Sequence, residues 1–285
     1  MKKSKICIGT SNFASSYGIN NNKFQRNELK RLFQFLRLNK LDFLDCADGY
    51  KNFRKFSGEL TNFKIIFKIN FEKYHNFDVV YKIINKNLLA SKLKSFEAIL
   101  IHNVHSISKK KLISIILFLK SIKKLKLIKK IGLSIYDIKD LKKIEELKLK
   151  VDIIQLPMNI FDNTFINNHL IKKLKKRGTK FHARSIFLQG ILLQNTDSLP
   201  KYFLKWKQLF KRWENWHVKY KKKKLNSCIN FINNVKFLDK IILGINDLDQ
   251  LKEILSVKKS HYPTNILSKN QRLIKPFLWN LKNEK

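Results

Sequence analysis

Short runs of β-branched and aliphatic residues recur along the chain at residues 5–9, 41–45, 63–69, 98–102, 130–134, 151–156, 180–186 and 240–244. Each is too short for a helix and mainly apolar, the pattern of a strand buried on both faces. Between them the apolar positions repeat with helical spacing. Leu29, Leu32, Phe33 and Leu36 form one stripe, Val80, Ile83 and Ile84 a second, and Leu112, Ile115, Ile116 and Leu119 a third. Ile138, Leu141 and Ile144, then Leu170, Ile171 and Leu174, then Leu248, Leu251 and Leu255 continue the series. Gly178, following Lys175-Lys176-Arg177, reads as a helix stop. Eight strand–helix units within about 250 residues predict an α/β fold, a (β/α)8 TIM barrel. An open doubly wound sheet is the rival, but no G-x-G-x-x-G follows the first strand.

The pattern implies a single domain over residues 1–285, with a long insertion at about 190–238 between the seventh and eighth strands. That insertion carries Trp206, Trp213 and Trp216 and predicts helices and a long loop over one barrel mouth, the tryptophans more for packing than for ligand contact. Residues 270–285 predict a last helix or a lid.

Composition changes the picture less than its numbers suggest. The formal charge of +39 would ordinarily point to nucleic acid, but the excess is spread along the chain and carried by lysine, with only eight arginines. Abundant Lys, Asn, Ile and Phe beside little Gly and Pro also fits an A+T-rich coding sequence. Nucleic acid is therefore not expected as a partner, although the field can steer anionic ligands. Cys7, Cys46 and Cys228 are odd in number and form no C-x-x-C pattern, which speaks against a disulfide framework or a metal site. The basic start lacks an apolar segment of signal-peptide length, and no run approaches a membrane span. A cytoplasmic protein is expected.

In a barrel, whatever stands at the carboxyl ends of the strands lines one mouth. Those ends read Gly9-Thr10, Asp45, Lys68, His102, Ser134, Gln155, Arg184 and Gly244. Each has an ordinary reading: Asp45 can cap a helix, a buried Lys–Asp pair can be structural, and His102 can be a satisfied core histidine. Taken together they have a chemical use. Phenols titrate near pH 10. An ammonium about 4 Å away is worth about 4 kcal/mol at an effective dielectric of about 20, enough to make a phenol a working acid near neutrality. Lys68 can thus activate Tyr50, with Asp45 holding Lys68 and His102 bonding a substrate carbonyl.

These residues resemble the aldo/keto reductase superfamily of NAD(P)-dependent (β/α)8 oxidoreductases. The similarity runs through Ile8-Gly9-Thr10-Ser11-Asn12-Phe13, Asp45-Cys46-Ala47-Asp48-Gly49-Tyr50, Lys68, Leu100-Ile101-His102, Gly132-Leu133-Ser134, Gln155 and Gln189-Gly190. The resemblance implies a catalytic tetrad of Asp45, Tyr50, Lys68 and His102, and NADPH or NADH as cofactor. It implies that Ser134 and Gln155 bond the nicotinamide carboxamide, with Gly9, Thr10 and Arg184 also at the cofactor. The stretch Gly244, Asn246, Gln250 and Glu253 would grip its adenosine end. No metal is implied. Ile135 stands where Asn is common, Arg184 where many members place a Tyr under the nicotinamide, and Gln250 where an Arg often meets the 2′-phosphate, so the choice between NADPH and NADH stays open. The segments 155–162 and 181–192 look nearest to bacterial members linked with surface-sugar biosynthesis.

The resulting expectation is reduction of an aldehyde or ketone, sugar-derived in one reading, to an alcohol, with Tyr50 as proton donor and a small carbonyl compound as partner. The alternative, prompted by Ile135, Arg184 and Gln250, is a catalytically altered barrel acting as a nucleotide-binding or regulatory protein. Neither the substrate nor the oligomeric state can be read from these residues.

Overall fold

The computed structural model describes residues 2–13, 24–49 and 56–279. Its strands are β1 (Ile6–Gly9), β2 (Phe43–Ala47), β3 (Lys64–Ile69), β4 (Ala98–Ile101), β5 (Ile131–Ser134), β6 (Ile153–Pro157), β7 (Lys180–Arg184) and β8 (Leu238–Gly244). They pair in sequence order, each parallel to the next, and β8 returns to β1 to close a barrel. The helices outside it are α1 (Arg26–Leu38), α2 (Phe77–Ser91), α3 (Lys109–Lys124), α4 (Ile138–Glu146), α5 (His169–Lys176), α6 (Lys207–Lys219), α7 (Lys224–Asn234) and α8 (Leu248–Ser256), followed by a one-turn α9 (Gln271–Ile274). This is the (β/α)8 architecture that the alternation of strand and helix patterns predicts.

The helices start where local chemistry lets them. Asn76, Ser108, Asp137, Asn168 and Asp247 each accept a hydrogen bond from an otherwise unpaired backbone N–H at the start of α2, α3, α4, α5 and α8. Gly178 lies just beyond α5 with φ of +90°, where a side chain would be strained. The stripes fall largely as their spacing requires, with local differences: Ile83, Ile138 and Leu248 are only partly buried, and on α8 it is Ile254 that is fully buried and Leu255 only partly.

Strand alternation divides the apolar residues into two bodies. Ile8, Leu44, Phe67, Ile99, Leu133, Ile154, Phe181 and Leu243 face outward and pack with the helical stripes in one large core. Cys7, Ile66, Ala98, Leu100, Ile153 and Ile242 form a separate cluster inside the barrel, with Phe43 against it. The interior below the mouth is therefore a filled plug. Gly132 belongs to this packing: a Cβ there would stand 2.2 Å from Leu100 Cδ2 and 2.6 Å from the Ile153 carbonyl oxygen. His182, on β7, is almost wholly buried, its Nδ1 finds no hydrogen-bond partner among the described residues, and burial pulls its pKa down to about 3.

Residues 185–237 between β7 and β8 hold three short 3-10 segments, then α6 and α7. Trp213 is fully buried and donates from its indole nitrogen to the Leu192 carbonyl, while His217 bridges the Trp213 carbonyl and the Ser227 hydroxyl. Trp213 thus ties this connection to itself.

Two outcomes test the packing. Gly132→Ala should lower the urea midpoint by the equivalent of about 1–3 kcal/mol, the usual range for forcing atoms into a packed core. Because His182 is held neutral, its contribution to stability is complete above pH 6.5 and is lost as pH falls toward 3, as the unfolded chain takes up the proton that the folded chain refuses. Denaturation followed between these pH values should show a slope of up to about 1.4 kcal/mol per pH unit from this group, absent in His182→Leu.

Candidate active site

Asp45 was expected at the end of its strand, but β2 runs on to Ala47. The pleat turns Asp45 into the barrel above the apolar plug, beside Lys68 of β3, whose backbone partners Ala47. The two side chains form an ion pair and are almost completely buried, at 1% and 4% exposure. A pair so removed from water stands only if its remaining hydrogen-bonding positions are filled. Gln155 of β6 helps fill them: its amide nitrogen donates to Asp45 Oδ2 at 2.7 Å, and its oxygen accepts from Lys68 Nζ at 3.4 Å. Thr10 fixes the local backbone, its N–H and hydroxyl both donating to the Asp45 carbonyl at 3.0 Å. His102 follows β4 directly, its N–H on the Ile69 carbonyl at 2.8 Å. Burial, then the charges of Lys68 and Arg184, lowers its pKa to about 3, so its imidazole is neutral at physiological pH.

Asp45, Lys68 and His102 open into a cavity of about 260 Å³ at the carboxyl end of the barrel. Gly9, Arg184, Gly244, Asn246 and Gln250 line the same cavity. Thr10 and Gln155 stand behind Asp45, bonded to it. Ser134 is fully buried, with a hydroxyl that has no partner among the described residues. Glu253 does not line this cavity; its carboxylate accepts from Lys223 at 2.5 Å. Tyr50, the expected proton donor, lies outside the described residues.

The start of α8 is occupied by its own side chains. Asp247 accepts from the Gln250 N–H at 2.6 Å, and Gln250 accepts from the Asn246 N–H at 2.8 Å. Asn12 donates to the Ile245 carbonyl and to Asn246 Oδ1, tying the loop after β1 to the loop after β8. An added Cβ at Gly244 would meet no atom within 4 Å, so a side chain there would project into open space at the mouth.

Sequence reasoning passed over Tyr136, two residues beyond Ser134. Its hydroxyl donates to Asn103 Oδ1 at 3.1 Å, and its ring packs against His105, Phe277 and the Arg184 guanidinium. Phe277 comes from the tail after α9 and stacks on His105, bringing that segment to the site. Sequence spacing carries no signal for such a contact across residues 136 and 277. Neither Trp206, Trp213 nor Trp216 lines the cavity.

Among the described residues no group of His, Cys, Asp and Glu could hold a metal ion, and no helix is long and apolar enough to cross a membrane. A search of curated proteins finds no match. Solved structures do match. A putative aldo-keto reductase from Pseudomonas aeruginosa is 13% identical, with 89% of this chain and 88% of that one aligned at a TM-score of 0.64. A silkworm (Bombyx mori) aldo-keto reductase is 14% identical over 97% and 87% of the two chains, at 0.66. A thermostable aldo-keto reductase solved with the inhibitor epalrestat is 15% identical over 92% of each, at 0.65. At such identities these likenesses speak for the fold. The family model described as "Aldo/keto reductase family" matches residues 5–269, nearly the whole chain, and the protein belongs to that family.

Proposed function

We propose that the protein is an NAD(P)H-dependent carbonyl reductase in which Tyr50 gives the proton to the substrate oxygen. Family membership supports NAD(P)H-dependent carbonyl reduction in general. The observation that carries the finer reading is the buried Asp45–Lys68 pair opening, with a neutral His102, into one cavity.

The donor set is suited to a nicotinamide cofactor. The Ser134 hydroxyl is buried without a partner among the described residues, as expected of a group that bonds a carboxamide, and Gly9 and Gly244 add no side chain to the mouth. Ser134, Gly9, Gly244, Asn246 and Gln250 would hold the cofactor, with Thr10 and Gln155 acting through Asp45. The bound cofactor supplies a hydride to the carbonyl carbon. The rest of the reaction falls to this chain. Lys68, held by Asp45 and Gln155, places a cation in the cavity, where it would favour release of the Tyr50 proton. His102 is uncharged, so one ring nitrogen can donate a hydrogen bond to the carbonyl oxygen without itself surrendering a proton. In the reverse direction the same phenolate takes the proton from the alcohol.

Tyr74 is a poorer candidate for the donor. Its hydroxyl is bonded to Asp48 at 2.9 Å, and burial together with that carboxylate pushes its pKa up to about 12. Tyr136 is committed to Asn103. A sugar-derived substrate completes the reading, resting on the resemblance of residues 155–162 and 181–192 to surface-sugar enzymes; a cytoplasmic location is proposed from the lack of a signal-like apolar segment after the basic start.

Tyr50→Phe tests the assignment. Turnover of aldehydes, followed by cofactor absorbance, should fall by roughly 100-fold or more, the usual contribution of a general acid. Quenching of protein fluorescence by NADPH or NADH should persist. Undiminished turnover would remove Tyr50 from the role.

A further inference from the structure

The cavity carries more positive charge than its chemistry uses. Of the described residues that line it, Asp45, Lys68 and Arg184 carry formal charge, while His102 is neutral. Asp45 and Lys68 neutralise one another, which leaves Arg184. No carboxylate pairs with Arg184 among the described residues. Its guanidinium donates to the Ile135 carbonyl at 2.9 Å and, at 3.4 Å, to the Ser185 hydroxyl, and its Nε is buried with no partner among the described residues. A neutral carbonyl satisfies one N–H but does not neutralise a cation, and a part-buried guanidinium without a counter-ion is costly. An anion arriving in the cavity would remove that cost.

The direction in which Arg184 leans tells which anion. Although it ends β7, next to β8 in the barrel, its guanidinium reaches across β6 to the end of β5, lying 4.3 Å from the centroid of the Tyr136 ring and on the Ile135 carbonyl. It thus points away from Gly244 at the end of β8 and Asn246 just beyond it, and toward the side where Tyr136, His105 and Phe277 form an aromatic wall. The contact with Tyr136 holds the guanidinium against a ring at the cavity wall, and the N–H groups not spent on Ile135 are of the kind that bond a carboxylate.

We propose that Arg184 is a specificity-determining residue that receives the anionic group of the substrate, so that the preferred substrates are aldehydes or ketones that also carry a carboxylate or phosphate. The word substrate rests on the reductase reading; the anion site does not. His102 and Lys68 lie in the same cavity, so the reacting carbonyl and the anionic group occupy one compact molecule with its apolar body against Tyr136.

The test uses the full chain with terephthalaldehydic acid and its methyl ester, which differ in charge while sharing an aldehyde. Isothermal titration of each, with and without cofactor, should show the acid bound at least roughly tenfold more tightly, the scale of one charge-assisted contact. The kcat/KM ratio of acid to ester should follow, and should decline as salt is added. Arg184→Met should bring both ratios to about one, and Arg184→Lys should keep part of the preference. Glyceraldehyde phosphate against glyceraldehyde separates a phosphate from a carboxylate preference. Equal binding of acid and ester by the unaltered protein, or a preference that survives Arg184→Met, would overturn the assignment. If both esters and acids are reduced without discrimination, the reductase reading stands and the anion site falls. If the acid binds through Arg184 but neither compound is reduced with either cofactor, the anion site stands and the reductase reading falls.

Discussion

The ion pair between Asp45 and Lys68 is the constraint around which the barrel mouth is arranged. Two charges at this depth lose their hydration, and the loss is tolerable only where each is the other's partner and neighbouring dipoles complete the shell. Thr10 anchors the Asp45 backbone from β1, Lys68 answers from β3, and Gln155 reaches in from β6. Side chains from β3 and β6 therefore meet on one carboxylate, while Thr10, just after β1, holds the backbone that carries it. Only a closed parallel sheet, with its carboxyl ends gathered into a ring, brings residues 10, 45, 68 and 155 so close.

Beneath the pair the interior is packed with Cys7, Ile66, Ala98, Leu100, Ile153 and Ile242, and no side chain at Gly132 disturbs Leu100. This floor keeps water from reaching the ions from below and holds their geometry rigid. Above it the walls are chemically unlike. On the β8 side Asn12, Asn246 and Gln250 form a polar rim, while on the β4–β5 side His105, Tyr136 and Phe277 form an aromatic one. The site is thus polar where a nucleotide is proposed to lie and aromatic, with one arginine, where a carbonyl compound is proposed to lie.

Much of this architecture can be read from the chain, because parallel strands buried on both faces leave unbroken apolar runs and the helices leave stripes. Asp45, Lys68 and His102 stood out because ionisable residues at the ends of such runs are costly without a purpose. What stayed hidden depended on reach. Spacing gave no hint that Gln155 turns its amide to Asp45, that Arg184 crosses β6 to lie on Tyr136, or that Phe277 returns to His105. The Asn246–Gln250 stretch was expected to meet the cofactor, and the N–H groups of Asn246 and Gln250 are in fact taken by Gln250 and Asp247. Asp45 itself lies two residues before its strand ends, since the pleat and not the strand terminus decides which side chains face inward.

The account turns on whether the buried pair eases ionisation of Tyr50. Labelling the tyrosine phenol carbons and following Tyr50 by NMR through an alkaline titration measures this directly, with Tyr50→Phe identifying the signal. The comparison is with the double replacement Asp45→Asn, Lys68→Met, which removes both charges and strands neither. The account predicts that Tyr50 ionises at lower pH in the unaltered protein, by at least about one pH unit. Ionisation at the same pH in both proteins would contradict it.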